Sequence, residues 1–178
     1  AMRQVLRRVL AGRTAVIVTH DVLDALLLAD EVVVMETGRV VEHGPTRDVL
    51  ARPRSTFGAG IAGLNLARGR VEAGGVRTSG GLLVTGLHDG AGVPEGAPAV
   101  AVFSPGAVSV HLEPPGGSPR NVFAATVREL EPRGSQVRVR TDELAADVTA
   151  PVVAELDLVP GTAVHLVVKA SEVSIYQA

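Results

Sequence analysis

The chain has 178 residues and a formal net charge of −2. That is long enough for one or two domains with a proper core, and it lacks the basic excess that phosphate backbones demand, which argues against nucleic acid as a partner. Hydrophobic residues make up 46% and aromatics only 2%, so Val, Leu and Ala fill the interior, and the absence of cysteine excludes a disulfide framework and thiolate metal sites, as suits a cytoplasmic protein. No apolar run approaches the roughly 18 to 20 residues that span a bilayer. The best candidate, Val22 to Met35, is broken by Asp24, Asp30 and Glu31, and no signal-peptide pattern precedes it. The expectation is a chain without direct membrane insertion.

Met2, Val5, Leu6, Val9 and Leu10 follow the spacing of one helical face, with Arg3, Arg7 and Arg8 read as its solvated side and Gly12 as its stop. Ala15 to Val18 is a short apolar run that suits a strand buried on both faces of a parallel sheet. His20 falls just past its end, where ligands collect in open α/β sheets. Asp21 is placed to cap a helix carrying Val22, Leu23, Leu26 and Leu27. The β-branched runs Val32 to Met35 and Val40-Val41, joined through Thr37-Gly38, read as a hairpin. Thr46 is then expected to cap a helix that Pro53 ends, and the glycine-rich stretch Phe57 to Asn65 carries another short helix.

From Thr14 to Gly44, VTHD followed by LADEVVVMETGRVVEHGP resembles the switch-histidine region of an ABC transporter ATPase. On its own His20 reads as an ordinary strand-end histidine; the resemblance implies that it stands beside the γ-phosphate of ATP in a complete ATPase dimer and helps hold the attacking water. The phosphate loop G-x-x-x-x-G-K-[ST] is absent, and so are the family's LSGGQ-type motif and its acidic magnesium-holding strand. The expectation is therefore the end of a P-loop ABC ATPase domain over residues 1–64, an α/β fragment not expected to hydrolyse ATP, or to hold ATP and Mg stably, by itself.

Glycine and proline cluster after position 57, and from Asn65 helical periodicity gives way to short β runs: Leu82 to Thr85, Ala99 to Phe103, Val108 to Leu112, Val137 to Arg140 and Val164 to Lys169. Turns separate them as in a small all-β barrel. The region repeats itself. Asn65-x5-Val71 is echoed by Asn121-x5-Val127, and Val93 to Val110 resembles Leu158 to Ile175, so half-repeats run over about 65–113 and 118–178. Of the five histidines, His43, His88, His111 and His165 show no carboxylate or histidine at ligand spacing, and no metal site or catalytic triad is expected.

Two polar clusters distinguish the second repeat: Ser118-Pro119-Arg120-Asn121 at its start and Lys169-Ala170-Ser171 near its end, where the first repeat has Ser104-Pro105-Gly106. Hydroxyls, turn N–H groups and one or two cations suit a tetrahedral oxyanion. SPRN, the stretch VTAPVVAELDLVPG and the closing VVKASEVSI resemble a TOBE or Mop-type molybdate-binding domain, an OB-like barrel module over residues 65–178. That resemblance implies that Ser118, Arg120, Asn121, Lys169 and Ser171 line an oxyanion site. One departure is that Thr149 is followed by Ala150-Pro151-Val152 where a serine often stands. Together the two resemblances imply the carboxy-terminal part of the ATPase subunit of an ABC importer for molybdate or tungstate. Its partners would be a membrane permease and a second ATPase subunit at the inner face of the plasma membrane. Two alternatives stay open: an importer ATPase for sulfate, sugar or another solute whose barrels bind no ion, and, more distantly, an oxyanion store or molybdate-responsive regulator.

Overall fold

In a computed structural model, which describes residues 2–178, the chain divides into two units, one ending at Gly63 and the other spanning Leu64–Ala178. The first opens with helix α1 (Met2–Leu10), none of whose residues is buried. Arg3 does not belong to a freely solvated face as expected: its guanidinium pairs with Asp21 and donates to Asp24 at 2.6 Å. Helix α2 (Val22–Leu28) starts where a cap was expected, the Asp21 carboxylate accepting from the Leu23 N–H at 2.7 Å. The strand expected over Ala15 to Val18 is not formed. That segment has no ladder partner, and Val16 and Val18 are 93% and 98% exposed. An apolar run becomes a buried strand only when other strands offer it hydrogen bonds, and β1 (Glu31–Glu36) and β2 (Arg39–Pro45) pair only with each other.

That hairpin turns at Thr37-Gly38, both at positive φ (47° and 76°), the conformation a two-residue turn needs to match strand twist. Its register shifts beyond Val34, so Val41 is the extra residue of a bulge. Thr46 is not a cap. It is the first residue of α3 (Thr46–Ala51), and its hydroxyl donates to the Ala29 carbonyl at 2.8 Å, because Pro45 occupies the cap position. Helix α4 (Thr56–Ala62) is capped by Ser55, whose hydroxyl accepts from the Gly58 N–H at 3.0 Å, and ends at a left-handed Gly63.

The second unit is almost entirely β: β3 (Asn65–Glu72), β4 (Gly75–Thr78), β5 (Leu83–Thr85), β6 (Leu87–His88), β7 (Pro98–Phe103), β8 (Ser109–His111), β9 (Asn121–Thr126), β10 (Glu129–Arg133), β11 (Gln136–Arg140), β12 (Ala145–Thr149), β13 (Ala163–Val168) and β14 (Ser174–Gln177), with one short helix, α5 (Ala150–Glu155). They form a six-stranded sheet, β5-β4-β3-β7-β14-β6, and two three-stranded sheets, β10-β11-β12 and β8-β13-β9. The sequence repeat is a repeat of this plan. β3 pairs antiparallel with β7, Asn65 opposite Phe103; β9 pairs antiparallel with β13, Asn121 opposite Val168. Val71 exchanges backbone hydrogen bonds with Gly96 and Ala97, and Val127 does the same with Gly161 and Thr162. Each repeat also contains a 3-10 turn after its long strand, Pro105–Ala107 in one and Ala170–Glu172 in the other.

The repeats exchange their last strands. β8 follows β7 in the chain but pairs with β13, whereas β14 follows β13 but pairs with β7. Alternation along the strands sends Val164, Leu166, Val168, Val110 and Phe123 inward, with Ala99, Ala101, Phe103 and Ile175 from the other sheet, into one shared core. Two asparagines tie the repeats together. The Asn65 amide donates to the Ala145 carbonyl and its oxygen accepts from the Ala145 N–H, both at 2.8 Å; Asn121 does the same with Thr85 at 2.8 and 2.7 Å. Both asparagines are buried, and each satisfies two backbone groups of the opposite repeat, at buried Ala145 and half-buried Thr85.

Candidate oxyanion site

Because the inward positions of β8 and β13 fill the core, Ser109 and His111 on one strand and His165 and Val167 on the other share the outer face. Their register sets Ser109 opposite Val167 and His111 opposite His165. Lys169 continues the outward series two residues past Val167, at the start of the 3-10 turn. The loop before β9 brings Ser118, Pro119 and Arg120 over the same face. The result is a pocket of about 650 Å³ lined by Ser109, His111, Ser118, Arg120, Lys169 and Glu172, floored by Val167 and walled by small residues.

Of the five residues expected at an oxyanion site, Ser118, Arg120 and Lys169 meet here although 49 positions separate the two cations in the chain. All three are exposed enough to meet a solute. Asn121 does not reach the pocket. It is 1% exposed and spends its amide on Thr85, which fixes the backbone immediately after Arg120. Ser171 is exposed on the 3-10 turn beside the pocket and is not part of its lining. In the other repeat the Ser104 hydroxyl accepts from the Gly106 N–H at 3.1 Å, whereas Lys169 provides no such cap. The amide of Ser171, the counterpart of Gly106, is therefore left uncapped beside Lys169. Thr149 precedes α5 without capping it, outside the lining.

His20 lies in the first unit, exposed at a bend. Its neighbour Asp24 is held below the usual carboxylate range by the hydrogen bond from Arg3, with smaller help from Thr19 and from His20. Among the described residues, no group of three or more His, Cys, Asp or Glu is arranged to hold a metal ion.

Three polar lining residues were not singled out as site residues in the sequence: Ser109, His111 and Glu172. Alternation in the run Val108 to Leu112 does put Ser109 and His111 on one face, but nothing local shows which partner that face meets. His111 and His165, 54 residues apart in the chain, are directly opposed across the β8–β13 ladder, a neighbourhood that sequence spacing does not show. The His111 Nε2 lies 3.0 Å from the Ser109 hydroxyl, and the buried Nδ1 of His165 has no hydrogen-bond partner among the described residues.

Residues 117–175 match the TOBE domain model. The molybdenum import ATP-binding protein ModC of Mycobacterium tuberculosis is 45% identical over 99% of this chain and 50% of its own length. The sulfate/thiosulfate import ATP-binding protein CysA 1 of Chromobacterium violaceum is 35% identical over 90% of this chain and 45% of its own. The chain thus spans about half the length of the curated relatives it matches. A crystal structure of the cytoplasmic molybdate-binding protein ModG with molybdate bound superposes with a TM-score of 0.55 at 24% identity, over 64% of this chain and 96% of that one. That likeness shows the fold: a pair of curled, OB-like β units. The resemblance to the ATP-binding subunit of a molybdate importer, first read from VTHD, SPRN and VVKAS, extends over nearly the whole chain.

Proposed function

We propose, from a chain whose residues 117–175 form a TOBE domain, that it is the carboxy-terminal part of the ATPase subunit of an ABC importer for molybdate or tungstate. Residues 1–64 complete the ATPase domain of the parent protein, and 65–178 form a regulatory oxyanion-binding and dimerisation module. One observation carries the reading: Arg120 and Lys169, from opposite ends of the second repeat, converge with Ser118 on one pocket. A guanidinium, an ammonium and a hydroxyl are the donors a tetrahedral oxyanion takes, and charge-assisted bonds to it are the strong kind. Asn121 acts at one remove, its clamp on Thr85 holding Arg120 in place. Ser171 closes on the ion through its hydroxyl or its uncapped amide.

In the parent protein, ATP with Mg binds between two ATPase subunits, His20 meets the γ-phosphate, and closure drives a membrane permease from the cytoplasmic side. None of the described helices is long and apolar enough to cross a membrane. Apolar Val16 and Val18, exposed on an unpaired extended segment, suit a strand completed by the remainder of an ATPase sheet. Filling of the oxyanion pocket signals that the cell holds enough of the imported ion.

Calorimetric titration of the chain with molybdate tests this. The expected outcome is saturable binding that sulfate does not match and that Lys169→Ala weakens about 100-fold, the worth of a charged hydrogen bond. Equal binding of sulfate would favour the reading suggested by the likeness to the sulfate/thiosulfate importer subunit. Absence of heat with either ion would leave a module that only dimerises.

A further inference from the structure

We infer that His111, acting with Ser109, is a third cationic element of the pocket and sets its affinity for a dianion according to pH. The inference rests on the oxyanion reading of that pocket. The charged lining residues are Arg120, Lys169 and Glu172, two cations and one carboxylate, which leaves one net positive charge. A tetrahedral dianion carries two negative charges, and taking it out of bulk water with one of them uncompensated is unfavourable. His111 is the remaining lining residue able to supply the missing charge.

The local hydrogen bonding gives that charge a second effect. Ser109 has a single hydroxyl proton, and its oxygen lies 3.0 Å from His111 Nε2 and 3.4 Å from the Val167 carbonyl. Facing an unprotonated Nε2, the hydroxyl donates to the ring and turns its lone pairs to the pocket, the wrong polarity for an anion. Once Nε2 carries a proton the ring donates to Ser109 instead, and the hydroxyl proton is released toward the ligand. Protonation of the Nδ1–H tautomer at Nε2 therefore adds a charge and turns a donor around in one step.

The other groups around His111 do not cancel this. Across the ladder stands His165, whose buried Nδ1 has no hydrogen-bond partner among the described residues. Lys169 and Glu172 face the pocket from the 3-10 turn and Arg120 from the loop before β9. β12, also beside β8, carries Asp147, whose carboxylate is taken up by Arg138. In the other repeat Tyr176 and Val100 replace the two histidines and Ser104 replaces Lys169, so that face cannot perform the same function.

The experiment measures molybdate affinity of the full 178-residue chain at pH 8 and pH 6, for the native protein and for His111→Asn, which keeps a donor but takes no charge. Histidines charge within that interval, so native affinity is expected to rise about tenfold on acidification, whereas the variant's stays flat. The same slope in both proteins overturns the role of His111. No molybdate binding by the native chain at either pH overturns the oxyanion reading itself, a separable result. A measurement without mutation guards against a misfolded variant: imidazole NMR titrations with and without molybdate. Bound molybdate is expected to move the His111 titration to higher pH by linkage; an unmoved titration sinks the inference.

Discussion

Val100, Val102 and Tyr176 stand on the outer face of the first repeat where His165, Val167 and His111 stand in the second. With Leu64, Leu66 and Ala178 the first set forms a small apolar cluster of its own, and Val100 is fully buried. In the second set His111 and Val167 line a pocket that also holds Arg120 and Lys169. A shared strand plan thus carries packing in one repeat and a site in the other. The difference lies in a few outward side chains and one turn residue, because inward positions are committed to the common core and outward ones are free to vary.

The plan itself departs at one strand. β3 runs unbroken and pairs with β7 and then β4, whereas its counterpart is split into β9 and β10, and β10 pairs in a separate sheet. Gly69 permits the continuous version. A Cβ there would lie 1.9 Å from the Arg77 carbonyl oxygen, while Ala125 fills the corresponding position of the second repeat, paired only with β13. The split strand is accompanied by a buried ion pair with no counterpart among the described ion pairs of the first repeat. Arg138 on β11 holds Asp147 on β12 through two bonds of 2.7 and 2.8 Å, with side chains 8% and 14% exposed. Among the described ion pairs, the first repeat offers the exposed pair of Arg77 with Glu72.

The largest effect expected concerns what the repeats share. Asn65→Ala and Asn121→Ala each strand a backbone N–H and C=O in the opposite repeat, costing up to about 4 kcal/mol apiece at the usual penalty per unsatisfied group. Thermal unfolding should show similar losses, and a loss confined to one variant would break the equivalence of the two clamps. Next comes the ion pair. The hydrogen bond from Arg138 lowers the Asp147 pKa, so folding favours its charged form. That stabilisation is complete above the ordinary aspartate value, near pH 4, and is lost as pH falls through the lowered one. Asp147→Asn is expected to cost about 3 kcal/mol at neutral pH by taking the carboxylate charge away from the buried Arg138. The deficit relative to the native chain should shrink on acidification; a deficit constant down to pH 2 in denaturant titrations would contradict the pairing. Smallest is Gly69→Ala, at about 2 kcal/mol of overpacking. Were β3 able to adopt the split course of β9 and β10, stability would be unchanged.

Much of the first unit was legible because it is local. Asp21 as a cap, Thr37-Gly38 as a hairpin turn and Pro53 beyond a helix end each depend on a few adjacent residues. The strand expected over Ala15 to Val18 failed for the opposite reason, since apolar character does not supply a hydrogen-bonding neighbour. Asn121 shows the same limit within the site. Its place beside Arg120 suggested a ligand, and only the fold reveals that its amide is committed to Thr85.

By itself the sequence determined the change from helical to β periodicity near Asn65 and the two-fold repeat; resemblance added Ser118, Arg120, Asn121, Lys169 and Ser171, of which Ser118, Arg120 and Lys169 line the pocket. The first two are written in spacing, turn residues and the recurrence of Asn-x5-Val. The tertiary structure alone decided the exchange of β8 and β14, the opposition of His111 to His165, and the pairing of Arg138 with Asp147. Each of these is set by strand register and by which edge a strand joins. Ladder hydrogen bonds are made by every residue alike, so neither register nor partner is encoded in the identity of any one of them.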